Sequence, residues 1–389
     1  MNDFVKLPIV GALLAITLIF ALSGCGYIDR NGNQDDVADF ATLFEVHDIL
    51  RTEHFNRSNL DTQTLSQGAI RGLIEALDDP HAAYIPPELF SVETDRFKGS
   101  FQGIGAEVSM KDGQLVITAP IPDNPAEKAG IRKGDIILEV DGQSTKGLGV
   151  YEAVAMIRGP KGTPVDLLVL HRNATTPVVI TVVRDVIKQP SLNIRILTGG
   201  IAHLELTSFS ETTNAELISA LETVHKFQSR GLIIDVRQNV GGLVSATVDV
   251  TSQFLDSGLV FYQIDGSGRR TNYRVREGGL ALDIPIVLLM DEFSASGSEI
   301  LAGALRDHDR ATLVGSKTFG KGSVNVQHAL SDGSGMYYTI ARWYTPSGDV
   351  IEGHGLLPDI EVLEDPEGAE DFQLDKAIEI LTYGDLQGG

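Results

Sequence analysis

Residues 284–307 read IPIVLLMDEFSASGSEILAGALRD. The apolar run 284–290 fits a strand that ends at Met290, and the pattern from about 297 to 307 fits a helix. Three serines, Ser294, Ser296 and Ser298, fall at this strand-to-helix junction. Ser296 with Glu299 three residues on has the form of a capping box, so one reading makes Ser296 no more than the cap of a helix. The other starts from the free N–H groups and partial positive charge of a helix N-terminus, which favour the oxyanion formed when a serine attacks a carbonyl. Ser294 lies further from the helix start and Ser298 falls inside its first turn, so Ser296 is the best placed of the three.

A serine hydroxyl needs a neighbour to take its proton. His308, in RDHDR, reads as solvated surface, and Lys317 as exposed. Lys321 stands between Gly320 and Gly322, where small residues let another backbone or a substrate come close. If 321–327 is a strand, Lys321, Ser323, Asn325 and Gln327 share one face, opposite Val324 and Val326. That polar face fits a cleft, and equally an edge strand facing water. With a reference pKa of about 10.4, under about 0.1% of a lysine is neutral at pH 7, so a lysine base requires burial to lower it. Ser/Lys pairs are an established variant of the catalytic triad.

Outward from this stretch the order is strand, helix, strand, helix. IAHLEL (201–206), a helix near 212–228, GLIIDV (231–236), a helix near 243–256 and ATLVG (311–315) give the core an α/β character. Residues 99–185 have another texture, short β-like runs with Gly turns and a helix candidate at 149–159. Upstream, 37–50 and 64–77 carry helical spacing, the second stopped by Asp78, Asp79 and Pro80. The segment DPHAAYIPPELF (79–90) reads as a proline-bounded connection, and 370–384 as a last helix.

The chain has 389 residues, 42% of them hydrophobic, enough for several domains with a sizeable core. A net charge of −22 argues against nucleic acid as a partner, which is bound through Lys and Arg. The nine histidines show no HExxH-like spacing, and no metal site stands out. Lys6 precedes an apolar run from Leu7 to Leu22, and the residues Leu22, Ser23, Gly24 and Cys25 resemble the bacterial lipoprotein box. That resemblance implies cleavage before Cys25 and lipidation of its thiol, hence an envelope protein anchored to a membrane and facing the periplasm or cell exterior. Cys25 is the one cysteine of the sequence, so an intrachain disulfide is excluded.

SASGSEILAGAL followed by KTFGKGSV resembles the C-terminal processing, or tail-specific, serine peptidases, with 25 positions from Ser296 to Lys321. LDDPHAAYIPPELF, FQGIGAEV, AEKAGIRKGDIILEVDG, LTSFS, DVRQNVGG and YTPSGDVIEGHGLLPDI extend the likeness over roughly residues 37–365. The resemblance implies an α/β multidomain fold: a ClpP/crotonase-like protease core with an inserted PDZ domain and an N-terminal helical region. The expected divisions are signal peptide 1–24, tether 25–36, helical region 37–98, PDZ 99–185, peptidase core 186–365 and C-terminal helix 366–389. It implies Ser296 as nucleophile, Lys321 as base and no cofactor, with oxyanion donors at Gly242 (or Gly241) and Gly297.

Three departures stand out. Asn325 replaces the usual Gln four residues after the lysine, which Gln327 could stand in for. QNVGG lacks the usual Pro, and Gly297 replaces a usual Ala, which loosens the turn. The PDZ implies that protein substrates bind by their C-terminal tails, the carboxylate meeting the N–H groups of Gly103, Ile104, Gly105 and Ala106 while the tail adds as a strand. Val150, Val154 and Ile157 share one helix face that packs the core or lines that groove. An envelope adaptor or activator is a further partner such a protease accommodates. The alternative from another class is a tail-binding scaffold with a decayed peptidase fold, for which Asn325 and QNVGG speak.

Overall fold

Strand Ile286–Met290 is buried at every position, as is its parallel neighbour Gly231–Asp235. Burial on both faces explains the apolar runs Leu232–Ile234 and Ile286–Met290. Among the described residues they form the centre of a six-stranded sheet: Leu192–Ile196, Ile201–Leu206, Gly231–Asp235, Ile286–Met290, Ala311–Gly315 and Ile360–Glu361. All its pairings are parallel except the first. Period-two geometry divides the side chains between two layers. Leu232, Ile234, Leu288 and Met290 join the core that includes residues of helices Thr213–Lys226, Val244–Ser252 and Gly297–Asp307. Ile233, Val287 and Leu289 face the other way, against the C-terminal helix Phe372–Tyr383 and its buried Ala377. Truncating Leu288 or Ile233 to Ala would cost about 2–5 kcal/mol and slacken the sheet end that carries the site.

The computed structural model describes residues 34–365 and 369–383. The expected signal peptide and Cys25 lie outside the described residues. The chain divides between Ala69 and Ile70 into two compact units. In the first, helix Gln34–Glu53 takes in the last three residues assigned above to the tether. The second begins within helix Thr62–Glu75.

The second unit corrects one reading. Segment 79–90 is not a mere connection: Ala83–Ile85 pairs antiparallel with Gly335–Tyr344. It thereby joins a five-stranded sheet with Leu259–Asp265, Arg270–Arg274 and Ser323–Ala329. Asp79 secures it, accepting the N–H groups of His81 and Thr339 at 2.9 and 3.2 Å. A three-residue strand between prolines has no periodicity to betray it, and its partner lies some 250 residues away. Residues 99–185 are therefore inserted between two parts of the second unit. The chain enters and leaves it by the antiparallel pair Ser100–Gly103 and Asp185–Lys188. Its own six-stranded sheet has Ala106–Lys111 at one edge, and Leu115, Ile117, Ile137, Leu167 and Val169 fill its core.

Candidate active site

The three serines at the head of helix Gly297–Asp307 part ways. Ser294 is fully buried; its hydroxyl lies 2.8 Å from the Val236 carbonyl and 3.0 Å from Asp291 Oδ1, and accepts the Asp291 N–H. Ser298 is equally buried and donates to the Asn239 carbonyl at 2.8 Å. Only Ser296 of the three lines a cleft of about 600 Å³. Its backbone has φ 54° and ψ −108°, a region that a residue with a Cβ occupies at a cost of about 1–3 kcal/mol. This sharp turn lifts the side chain off the helix, a geometry also found at hydrolase nucleophile turns.

Glu299 holds the turn. Ser296 N–H donates to Glu299 Oε2 at 2.9 Å, half of the capping arrangement read from the sequence. The carboxylate, wholly buried, also accepts Thr318 Oγ1 at 2.6 Å, Gly320 N–H at 2.8 Å and Lys321 N–H at 2.9 Å. Burial pushes the Glu299 carboxyl above its ordinary value, against these four bonds, which favour the anion.

Lys321 lines the same cleft as Ser296. Burial lowers the basicity of its amine, opposed by Glu352, Asp79 and Glu299 in that order. The Tyr337 ring lies 5.5 Å from Nζ, and Trp343 Nε1 donates to the Lys321 carbonyl at 2.9 Å. The flanking glycines admit close backbone, as read from the sequence. A Cβ on Gly322 would strike Glu352 N, and one on Gly320 would stand 2.9 Å from Gly355 N. His308 is no base here: it caps the far end of the helix, half-buried, with Nε2 2.8 Å from the Leu259 carbonyl. Lys317 is exposed.

The polar face read over 321–327 is interrupted. The strand starts at Ser323, and a bulge lies between Val324 and Asn325. Asn325 is bonded to other partners: Nδ2 donates to Thr339 Oγ1 at 3.0 Å and to the His81 carbonyl at 3.3 Å, while Oδ1 accepts Ser323 Oγ at 2.9 Å. It ties the base hairpin to segment 79–85. Gln327, cross-strand from Tyr337, lines the cleft instead, and its Nε2 has no partner among the described residues.

On the opposite wall, Asn239 organises the loop 236–242. Its Nδ2 donates to the Leu206 carbonyl at 2.7 Å and its Oδ1 accepts Gly241 N–H at 2.9 Å. Its carbonyl takes Ala295 N–H at 3.0 Å along with the Ser298 hydroxyl, fastening the loop to the serine turn. Gly241 N–H is thus spent, which leaves Gly242 of the pair expected as oxyanion donors. Phe209 bonds to residues 241 and 243, so the N–H of Gly242 points the other way, free of any protein acceptor among the described residues. Gly297 N–H is free in the same sense and close by: a Cβ on Gly241 would lie 2.8 Å from it and 2.9 Å from Ser296 Cβ. Gly297 does not loosen the turn as expected. A Cβ there would meet Thr247 Oγ1 at 2.7 Å and Phe209 Cδ2 at 3.0 Å, so the missing methyl's space is already filled. Asn239 and the wider role of Glu299 were not read from the sequence. Glu299 was visible as a capping residue, but three of its donors come from 318–321.

A second cavity of about 370 Å³ is lined by Gly103, Ile104, Gly105 and Ala106 on one side and by Val150, Val154 and Ile157 on the other. Ile104 and Gly105 N–H have no acceptor among the described residues, although their carbonyls accept Ala126 and Ile121 N–H. Gly105 has φ 74°, and a Cβ would strike Asn124, so only glycine fits. Strand Ala106–Lys111, at the sheet edge, can accept an added strand. Tyr151, half-exposed, lines both cavities.

Known proteins bear on this geometry. The model described as Peptidase family S41 matches residues 200–362, and that described as PDZ domain matches 93–170. A carboxy-terminal-processing protease of Bartonella bacilliformis is 36% identical over 366 residues, covering 92% of this chain and 82% of that protein. The carboxy-terminal processing protease CtpA of Bacillus subtilis is 34% identical over 355 residues, covering 91% and 75%. Among solved structures, a photosystem II D1 C-terminal processing protease superposes with a TM-score of 0.50 at 29% identity, covering 87% of this chain and 90% of that one. The chain belongs to the carboxy-terminal processing proteases of peptidase family S41, with a PDZ domain carried in its mixed α/β fold.

Proposed function

We propose that this protein is a lipid-anchored serine endopeptidase of the bacterial cell envelope that captures protein C-terminal tails in its PDZ groove and cleaves by a Ser296/Lys321 mechanism. The carrying observation is that a serine on a strained helix cap and a lysine of lowered basicity line one cleft, their two backbones gripped by one carboxylate. Neutral Lys321 takes the hydroxyl proton as Ser296 Oγ attacks the substrate carbonyl. Gly242 and Gly297 N–H receive the oxyanion, two donors being worth several kcal/mol in a dry site. The lysine then passes its proton to the leaving amine, and water, deprotonated by the same amine, releases the acyl group. The Tyr337 ring lies near the amine and Gln327 lines the same cleft; Asn325 acts only through the hairpin it braces.

The tail enters as a strand beside Ala106–Lys111, its carboxylate on the N–H groups of residues 103–106 and its side chains against Val150 and Val154. The membrane attachment rests on the sequence around Cys25. Ser296→Ala and Lys321→Ala, assayed on an unfolded protein with an apolar tail, test the chemistry: both should abolish turnover, and cleavage retained by either removes the mechanism. A scaffold that only binds tails would turn over nothing in the wild type and take no fluorophosphonate on Ser296.

A further inference from the structure

The loop that presents Gly242 is held from behind as well as from within the cleft. Arg237 stands near its start, two residues past the end of strand Gly231–Asp235. All five donors of its guanidinium are engaged. Nε and Nη2 donate to Asp235 Oδ1 and Oδ2 at 2.9 and 2.7 Å. Nη1 and Nη2 donate to Asp371 Oδ1 and Oδ2 at 2.8 and 2.9 Å, and Nη1 also reaches Gln373 Oε1 at 3.1 Å. Asp371 and Gln373 belong to the start of the C-terminal helix, more than 130 residues away in sequence. Asp371 accepts Leu374 N–H at 3.0 Å, and buried Gln373 donates to the Val362 carbonyl at 2.8 Å, so both are fixed independently of the arginine.

What Arg237 steadies is a strained path. Gln238 has φ 60° and Gly241 φ 98°. Such conformations persist only where the surroundings over-determine them. Gln238 is pinned by Asp291, which accepts its N–H at 3.0 Å and its Nε2 at 2.7 Å, and Asn239 follows with the bonds that orient residues 241–242. A bidentate arginine–carboxylate pair fixes direction as well as distance. With the Asp371 carboxylate removed, the guanidinium keeps Asp235 and the single bond to Gln373 Oε1, and the loop loses its bidentate outer anchor.

We propose that Asp371, supported by Gln373, is a positioning residue for the reaction: through Arg237 it holds the loop that aims Gly242 N–H at the oxyanion, which makes the C-terminal helix part of the catalytic apparatus. This rests on the reading of Gly242 given above. A slack loop would bind substrate as before and lose transition-state contact.

The test uses the full chain with Asp371→Asn, Asp371→Glu and, as control, Glu379→Gln, which breaks the Lys376–Glu379 pair on the same helix without reaching the loop. The readouts are kcat and KM on a tail-bearing peptide, inhibition by a peptide boronate that mimics the tetrahedral state, and melting temperature. Asp371→Asn should lower kcat about tenfold and weaken the boronate about as much, with KM within about twofold. Asp371→Glu should recover most of the loss and Glu379→Gln should behave as wild type. Wild-type kcat in Asp371→Asn overturns the inference. So does a kcat loss without loss of boronate affinity, or one that Glu379→Gln shares. Ser296→Ala, run alongside, separates the claims: turnover lost there but kept in Asp371→Asn removes the latch and leaves the nucleophile standing, whereas turnover kept in Ser296→Ala removes both.

Discussion

Glu299 accepts the backbone N–H of Ser296 and that of Lys321, each at 2.9 Å, on the same oxygen. Ser296 and Lys321 arrive on separate elements 25 residues apart, and this one buried oxygen sets their backbones at a fixed separation. Replacing Glu299 by Gln keeps the shape but puts an amide where N–H and O–H groups already point, leaving donors unmatched at about 1–3 kcal/mol each. The expected outcome is a kcat at least about a hundredfold lower with a clear fall in melting temperature, measured by steady-state kinetics and circular dichroism. A stable, fully active Glu299→Gln would show that the clamp is dispensable.

In the proposed mechanism the basicity of Lys321 sets the acid side of the rate profile. Its neutral form is the active one, so kcat/KM should rise with pH to a plateau, with a midpoint below the ordinary lysine value of about 10.4. The linkage sign follows. A lysine whose folded pKa is depressed weakens the fold at pH below that value, and the penalty fades as pH rises towards the unfolded pKa. Lys321→Met should therefore be inactive yet melt no lower than wild type at pH 7, as thermal melts would show.

The packing around Gly297 offers a rescue experiment. Gly297→Ala should lose most activity because its methyl meets Thr247 Oγ1. Adding Thr247→Ala removes that oxygen and should restore part of kcat, held back by Phe209. A double-mutant cycle on kcat reads the coupling; strictly additive losses would argue against the clash.

Tyr151, shared by the two cavities, should matter to long substrates only. Tyr151→Ala is expected to raise KM for a protein with an apolar tail several-fold and to leave a short chromogenic peptide nearly unaffected. Equal effects on both substrates would place its role in the cleft alone.

Asp235 lies below the usual carboxylate range. Burial alone would raise it, but hydrogen bonds from His203 and Arg237 and the charge of Arg237 prevail. A depressed carboxylate stabilises the fold above its unfolded value of about 3.9, and that contribution is lost as pH falls through the folded value. Asp235→Asn should lose about 3–5 kcal/mol at pH 7, and its deficit against wild type should narrow below about pH 4, as denaturant titrations would reveal.

The legible parts of this molecule were those whose cause is local. Strands 231–235 and 286–290 announce themselves by the apolar runs 232–234 and 286–290, and Ser296 by the turn between such a strand and a helix. What escaped depends on distant partners. Ala83–Ile85 is a strand because Gly335–Tyr344 makes it one. The bonds that occupy Asn325, and the place of Gln327 in the cleft lining, depend on pairing with that same strand. Asn239, Glu299 and Asp371 are polar groups whose importance lies in bonds to elements far along the chain, which no periodicity encodes.

The most direct measurement is an NMR titration of Lys321 Nζ in selectively labelled protein, with and without a bound tail peptide, set beside the pH profile of kcat/KM. The two should share one midpoint, lying below that of an exposed lysine. An amine that stays cationic through the pH range where the enzyme is fully active would contradict its service as the base for Ser296.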